Sequence, residues 1–268
     1  MTKDLISIQH DARGVATVTM NNPEKHNAFD DKIIAQLTGA FEDIAANESV
    51  RVMILASTGK SFSAGADLNW MKRMADYSYE ENLRDAQALA KMLRTLNFMP
   101  QTTIAKVQGA AFGGAIGLVS CCDMAVGSTA ALFSLSEVKI GLIPATISPY
   151  VVAAIGARAS RRYFATAERI TSETALQLGL LSEVCEPDEL DDEVNQLIKA
   201  LLDNSPAAVK AAKSLVFDVA QQAVNDDGSS DLLIAMTSER IAAIRVSEEG
   251  REGLNAFLEK RIPSWRSQ

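Results

Sequence analysis

Residues 102–121 have the sequence TTIAKVQGAAFGGAIGLVSC. The run Thr102–Gln108 predicts a buried strand, and the glycine-rich segment Gly109–Gly114 leads directly into an apolar helix that continues to Cys121. A strand that passes through glycines into a helix is typical of α/β proteins, in which helices cover a sheet with parallel pairing.

The same alternation continues on both sides of this segment. Asp30 is suited to cap one helix, and Ser78 with Glu81 forms a capping box for a second helix that ends near Asn97. Further strands are predicted at Leu5–Gln9, Val15–Met20, Val50–Ala56, Met124–Val126 and Leu132–Ser134. These elements together predict a layered α/β core.

From Ser148 onward the pattern becomes mainly helical. Helices are predicted to begin near Ser148, Ser172, Asp188, Ser205, Asp231 and Ser247. Only Leu180–Cys185 has the pattern of a strand there, and Asn225–Ser230 is the most linker-like stretch. We therefore predict an α/β core over residues 1–200 and a helical C-terminal region over residues 201–268.

The composition limits the class of partner. The chain of 268 residues has 47% hydrophobic residues, 22% charged residues and a net charge of −8, which argues against a nucleic-acid surface. Its three cysteines lack metal-ligand spacing and indicate neither a disulfide framework nor a metal site. Met1–Gln9 lacks the apolar segment of a signal peptide, and no stretch of membrane-spanning length is free of charge. We therefore predict a cytoplasmic protein that binds neither nucleic acid nor membrane.

Histidine is scarce in this sequence. His10 and His26 are the only two, so few residues are available for a Ser-His-Asp triad or a histidine-based metal site. Any chemistry is therefore expected to use carboxylates and backbone dipoles.

Two segments of small residues, Ser63–Leu68 and Gly109–Gly114, each follow a predicted strand. Glycines let the backbone approach a ligand closely, and the N–H groups near Gly114 lie at the positive end of a helix dipole. Two such N–H groups that converge on one point would form an oxyanion hole, which stabilises charge on a carbonyl oxygen. The alternative is that these glycines only permit a tight turn from strand to helix.

Several motifs resemble the enoyl-CoA hydratase/isomerase (crotonase) superfamily, and their order and spacing match over nearly the whole chain. They are Asn22–Ala28, Phe62–Leu68, Gly109–Gly114, Cys122-Asp123, Phe133–Glu137, Gly141–Pro144 and Gly250–Lys260. The resemblance implies a ClpP/crotonase-like α/β fold with a repeated ββα core. It also implies that the helical C-terminal region serves oligomerisation or as a lid, in a homotrimer or a dimer of trimers.

The resemblance also implies roles for individual residues. The N–H groups of Ala66 and Gly114 would bind the oxygen of a coenzyme A thioester, and Glu137 would be the catalytic acid and base. The residues implied to lie along coenzyme A are Lys25, His26, Ala28, Ala64, Asp67, Leu68 and Asn69. Asn69 stands where the family usually has lysine, so one cationic contact is expected to be missing or supplied by Lys72.

The first of the family's two acidic positions falls on Gly117, and this departure bears on the reaction. A single carboxylate favours an isomerase, which moves a proton between two carbons without water. A finer resemblance is to bacterial methylglutaconyl-CoA and carboxygeranoyl-CoA hydratases, which also have glycine there. It is carried by Gly109–Ala115, Ser136–Pro149 and Arg261–Trp265. We hypothesise that the carboxylate of such a substrate occupies the space left at Gly117.

The resemblance therefore implies hydration of the 2,3 double bond of a branched, carboxylated enoyl-CoA, in the breakdown of leucine or acyclic terpenes. No separate cofactor is expected, because coenzyme A is part of the substrate. A Δ3,Δ2-enoyl-CoA isomerase and a non-enzymatic member of the fold are the alternatives.

Overall fold

The computed structural model describes residues 5–225 and 231–266. Contacts within the chain form two compact units, one of residues 5–99 and 103–195 and the other of residues 100–102, 196–225 and 231–266. The predicted boundary after residue 200 stays a prediction, because these units do not show which pieces of the chain fold on their own. Of the predicted linker, only Asn225 is described, as the last residue of a helix; residues 226–230 lie outside the described residues.

The described residues contain ten strands. They are β1 (Ile6–His10), β2 (Val15–Met20), β3 (Val52–Ser57), β4 (Ser61–Ser63), β5 (Thr102–Val107), β6 (Ala110–Phe112), β7 (Met124–Ser128), β8 (Leu132–Ser134), β9 (Ile170–Thr171) and β10 (Glu183–Cys185). Six of them form a sheet in the order β1-β2-β3-β5-β7-β10, and the other four form a second sheet in the order β4-β6-β8-β9.

Parallel pairing dominates both sheets. The pairs β2–β3, β5–β7 and β7–β10 are parallel in the first sheet, and only β1–β2 is antiparallel among its described pairs. In the second sheet β4–β6 and β6–β8 are parallel, whereas β8–β9 is antiparallel. The predicted α/β class is therefore confirmed.

Apart from the helix Leu68–Ala75, for which no start was predicted, the helices of the described residues begin close to the predicted positions. They are α1 (Asp31–Ala46), α2 (Leu68–Ala75), α3 (Tyr79–Asn97), α4 (Gly114–Cys121), α5 (Ser148–Thr166), α6 (Ser172–Leu178), α7 (Leu190–Leu202), α8 (Pro206–Asn225), α9 (Asp231–Val246) and α10 (Glu248–Glu259). Asp30 accepts hydrogen bonds from the first turn of α1, and Ser78 with Glu81 forms the expected capping box. None of the helices in the described ranges is both long and apolar enough to cross a bilayer.

The second sheet differs most from the sequence prediction. β4 and β6 overlap segments that were predicted as glycine-rich loops, and β9 was not predicted. These strands have two or three residues, too few for an alternating pattern to appear in the sequence. They form because each one pairs with a neighbour that is distant in the chain.

The second sheet brings three chain segments to one edge. β4, β6 and β8 are adjacent and parallel, so their carboxyl ends lie at the same edge. Ala66 follows the end of β4, Gly114 follows the end of β6, and Glu137 follows the end of β8. The carboxyl edge of parallel strands is the usual place for ligand sites in α/β proteins.

Candidate active site

The loop after β4 passes very close to the backbone after β6. Gly65 has a φ of 83°, and a Cβ at this position would lie 2.7 Å from the carbonyl oxygen of Phe112 and 3.8 Å from the nitrogen of Gly114. Only glycine accommodates both the left-handed conformation and this approach. The two glycine-rich segments, which are far apart in the sequence, therefore meet backbone to backbone.

The N–H group of Ala66 is left free by the way this loop pairs. Phe29 forms a parallel bridge with Ala66. The N–H of Phe29 donates to the carbonyl oxygen of Gly65, and the carbonyl oxygen of Phe29 accepts from the N–H of Asp67. In a parallel pair the residue between those two partners directs its own N–H to the opposite side. Within the described residues the Ala66 N–H donates to no acceptor.

The second free N–H group is at the start of α4. Gly113, with a φ of 53°, precedes the helix without a side-chain cap, and its N–H donates to the carbonyl oxygen of Ser134 at the end of β8. The N–H of Gly114 has no acceptor in the described part of the chain, as expected for the first residue of a helix. It lies at the positive end of the helix dipole.

Glu137 lies beside this helix start. One of its carboxylate oxygens, Oε1, is 3.3 Å from the point that a Cβ of Gly113 would occupy. The other oxygen, Oε2, is buried and has no hydrogen-bond partner among the described residues. Burial raises the pKa of the Glu137 carboxyl above its ordinary value. A half-buried carboxylate with one buried, unpaired oxygen is suited to accept and return a proton.

The structure also places the residues that were predicted to lie along coenzyme A. Lys25 Nζ donates to Asp67 Oδ2 at 2.9 Å, and this bond lowers the pKa of Asp67. The other Asp67 oxygen caps α2 through the N–H groups of Asn69 and Trp70. His26 Nδ1 is 3.1 Å from Ser61 Oγ. The remaining predicted residues include three exposed ones, Ala64, Leu68 and Asn69, and one buried one, Ala28.

The hypothesis of a vacated space at Gly117 is wrong. A Cβ at Gly117 would lie 2.4 Å from Cγ2 of Ile147 and 3.3 Å from Cδ2 of Leu93. Both side chains are buried, with 2% and 0% of their surface exposed. The position where the family's first acid would stand is therefore filled by hydrocarbon, and a substrate carboxylate has no room there.

Two residues that contact this site were missed in the sequence. Phe29 packs against Gly114, and Ile147 fills the position beside Gly117. Neither carries a chemical group that marks a site, and an apolar residue at a loop end is ordinary. They are recognised only by their contacts in the folded chain, which join positions far apart in the sequence.

The two sheets and the helical C-terminal segment define a crotonase fold. The family model of enoyl-CoA hydratase/isomerase matches residues 10–268, and the chain belongs to this family.

Individual relatives agree with this assignment. The crystal structure of an enoyl-CoA hydratase from Shewanella pealeana matches with a TM-score of 0.92 and 46% identity, over 98% of this chain and 97% of that chain. The short-chain-enoyl-CoA hydratase of Clostridium acetobutylicum is 30% identical over 251 residues, which are 92% of each protein. The 2,3-dehydroadipyl-CoA hydratase of Escherichia coli is 29% identical over 257 residues, 95% of this chain and 96% of that protein.

The partly buried carboxyl of Glu137 predicts a pH-dependent change in stability. Because folding raises its pKa above the ordinary value of 4.5, stability falls as the pH rises from 4.5 through the folded pKa and stays lower above it. Glu137→Gln removes this cost, so the variant should melt at a higher temperature than the wild type at pH 7. The advantage should disappear as the pH falls to the ordinary glutamate range. Melting curves from pH 4 to pH 8 measure it, with the exposed Glu183→Gln as the control; a lower melting temperature for Glu137→Gln at pH 7 would contradict it.

The contact at Gly117 predicts that a glutamate cannot simply be added there. Gly117→Glu should lose about 3 kcal/mol or more in unfolding free energy, through overpacking and burial of a charge. Ile147→Gly in the same chain removes the two closest atoms, so the double variant should be more stable than the sum of the single losses by about 1 kcal/mol or more.

Urea denaturation gives these free energies. Gly39→Glu is the matched control, because Gly39 also lies in a helix and has open space around its α-carbon. Equal stability of Gly117→Glu and Gly39→Glu would show that the position is not filled.

Proposed function

We propose that this chain hydrates the 2,3 double bond of an enoyl-CoA thioester with Glu137 as its single catalytic carboxylate. The observation that carries the proposal is the buried, unpaired Oε2 of Glu137 beside a helix start with a free N–H group. Family membership supports the thioester as the substrate class. Coenzyme A enters as part of the substrate, and no step requires a separate cofactor.

The first step of the proposed mechanism is addition of water. The N–H groups of Ala66 and Gly114 hold the thioester oxygen, which makes the β-carbon electrophilic. The ionised Glu137 takes a proton from water while the remaining hydroxide bonds to the β-carbon. The electron pair of the double bond moves into an enolate, whose oxygen carries the negative charge in the oxyanion hole.

The second step returns the proton. Glu137, now a carboxylic acid, donates the proton to the α-carbon, and the enolate becomes the 3-hydroxyacyl thioester product. One carboxylate therefore performs both transfers, first as a base and then as an acid. The raised pKa suits this role, because it brings the acid and base forms closer in free energy near neutral pH.

The proposed acyl group is branched and carboxylated, of the methylglutaconyl or carboxygeranoyl type, in leucine or acyclic terpene breakdown. The finer sequence resemblance supports it, and the E. coli relative is named for a dehydroadipyl thioester. The filled position beside Gly117 means that the distal carboxylate must bind elsewhere. We also propose the assembly that the resemblance implies, a homotrimer or a dimer of trimers. The proposed mechanism uses residues of one chain only.

A specific observation favours a second candidate, a Δ3,Δ2-enoyl-CoA isomerase. Ile147 and Leu93 leave no place for a second water-orienting acid at Gly117. Glu137 alone would then take a proton from the α-carbon of a 3-enoyl thioester and return it to the γ-carbon. The same oxyanion hole would stabilise the dienolate.

A thioester panel in oxygen-18 water separates these functions. Methylglutaconyl-CoA, crotonyl-CoA and 3-hexenoyl-CoA are assayed with the wild type, Glu137→Gln and the control Glu183→Gln. We expect hydration of methylglutaconyl-CoA with labelled oxygen in the product. Glu137→Gln should lower kcat about 10²–10⁴-fold, whereas Glu183→Gln should not change it.

Each other result has a defined meaning. Conversion of 3-hexenoyl-CoA without label, and no hydration, would establish the isomerase instead. Turnover of no thioester would indicate a non-enzymatic member of the fold. Unchanged activity of Glu137→Gln would refute the assigned role of the carboxylate.

A further inference from the structure

Phe29 contacts both loops of the candidate oxyanion hole, one through its backbone and the other through its ring. Its N–H donates to the carbonyl oxygen of Gly65 at 2.9 Å, and its own carbonyl oxygen accepts from the N–H of Asp67 at 3.0 Å. These two bonds hold the residues on either side of Ala66. The main chain of Phe29 therefore fixes where the Ala66 N–H is and where it points.

The ring of Phe29 reaches the other loop. A Cβ at Gly114 would lie 3.0 Å from Cε2 and 3.2 Å from Cζ of this ring, so the ring packs against the α-carbon of Gly114. Only 1% of the Phe29 surface is exposed. The ring has little freedom to move, because packed interiors hold side chains in single positions.

We propose that Phe29 is a positioning residue that sets the separation between the Ala66 and Gly114 N–H groups. This inference rests on the proposed function, because it assumes that these groups bind one carbonyl oxygen. Both donors must lie at about 2.7–3.1 Å from the oxyanion for full stabilisation. A spacer that fixes one donor through its main chain and the other through its ring controls that geometry.

A purely structural role predicts a different result. Phe29 is one of several large, fully buried phenylalanines, and Phe41 in the second half of α1 is buried to the same degree. If both residues only fill the core, shortening either one should lower stability and leave the chemistry unchanged. Phe41→Leu is therefore the matched control for Phe29→Leu.

The first measurement compares kinetics with stability. Phe29→Leu keeps the main-chain hydrogen bonds but removes the ring atoms that contact Gly114. Phe29→Leu and Phe41→Leu should lower the melting temperature to a similar extent. We expect kcat of Phe29→Leu to fall about 10–100-fold, since small misplacements of catalytic groups are costly. KM should change much less, and Phe41→Leu should retain kcat. Phe29→Met, which preserves more volume, should recover part of the loss and serves if the leucine variant does not fold.

The second measurement reports on the oxyanion hole itself. Cinnamoyl-CoA bound to the Glu137→Gln protein is not turned over, and polarisation of its carbonyl moves the absorption band to longer wavelength. This shift should be smaller when Phe29→Leu or Phe29→Met is added, and unchanged when Phe41→Leu is added.

The outcomes separate the two proposals. No turnover by the wild type and no shift of bound cinnamoyl-CoA would refute the proposed function. An active wild type with a clear shift, together with a folded Phe29 variant that keeps both kcat and the shift, would overturn the role of Phe29. A loss of kcat in Phe41→Leu equal to that in Phe29→Leu would also overturn it.

Discussion

The parallel alignment of three short strands is the constraint on which the candidate site depends. β4, β6 and β8 have three residues each, and the groups of interest follow their carboxyl ends. A slip of one residue in either pairing would displace a donor by about 3.3 Å, which is more than a hydrogen bond tolerates. Short strands cannot hold such a register alone. Backbone contacts beyond the strands, such as Gly113 to Ser134 and Phe29 to the Gly65 loop, help to hold it.

The electrostatics of the site come from burial and from backbone dipoles. Asp67 is bonded to Lys25 and to the first turn of α2, so the ion pair nearest to the oxyanion loop is already satisfied. Glu137, in contrast, is desolvated and has an unpaired oxygen. Natural proteins accept such local costs where function needs them. The two carboxylates show how environment alone separates an acidic residue that is hydrogen-bonded on both oxygens from one that is desolvated and has an unpaired oxygen.

The sequence predicted these features to different extents, for physical reasons. Val15–Met20 and the capping box of Ser78 carry local signals, so their elements are where they were expected. β6 carries none, because its three residues form a strand only through their neighbours. Glu137 was predicted as a site residue from its motif. The side chains that pack against Gly114 and Gly117 carry no motif, so they could not be predicted in this way. The hydrocarbon that fills the position beside Gly117 comes from a residue thirty positions later.

The contact between Gly117 and Ile147 also constrains how such a site changes over evolutionary time. A side chain at position 117 is excluded while isoleucine occupies position 147, since their atoms would overlap. Any lineage that exchanges a one-carboxylate site for a two-carboxylate site must therefore alter position 147 first or at the same time. We therefore expect the two positions to form an epistatic pair, in which volume sets the order of substitutions. Sequence changes at residue 147 would thus mark where in a family tree the second acid can appear.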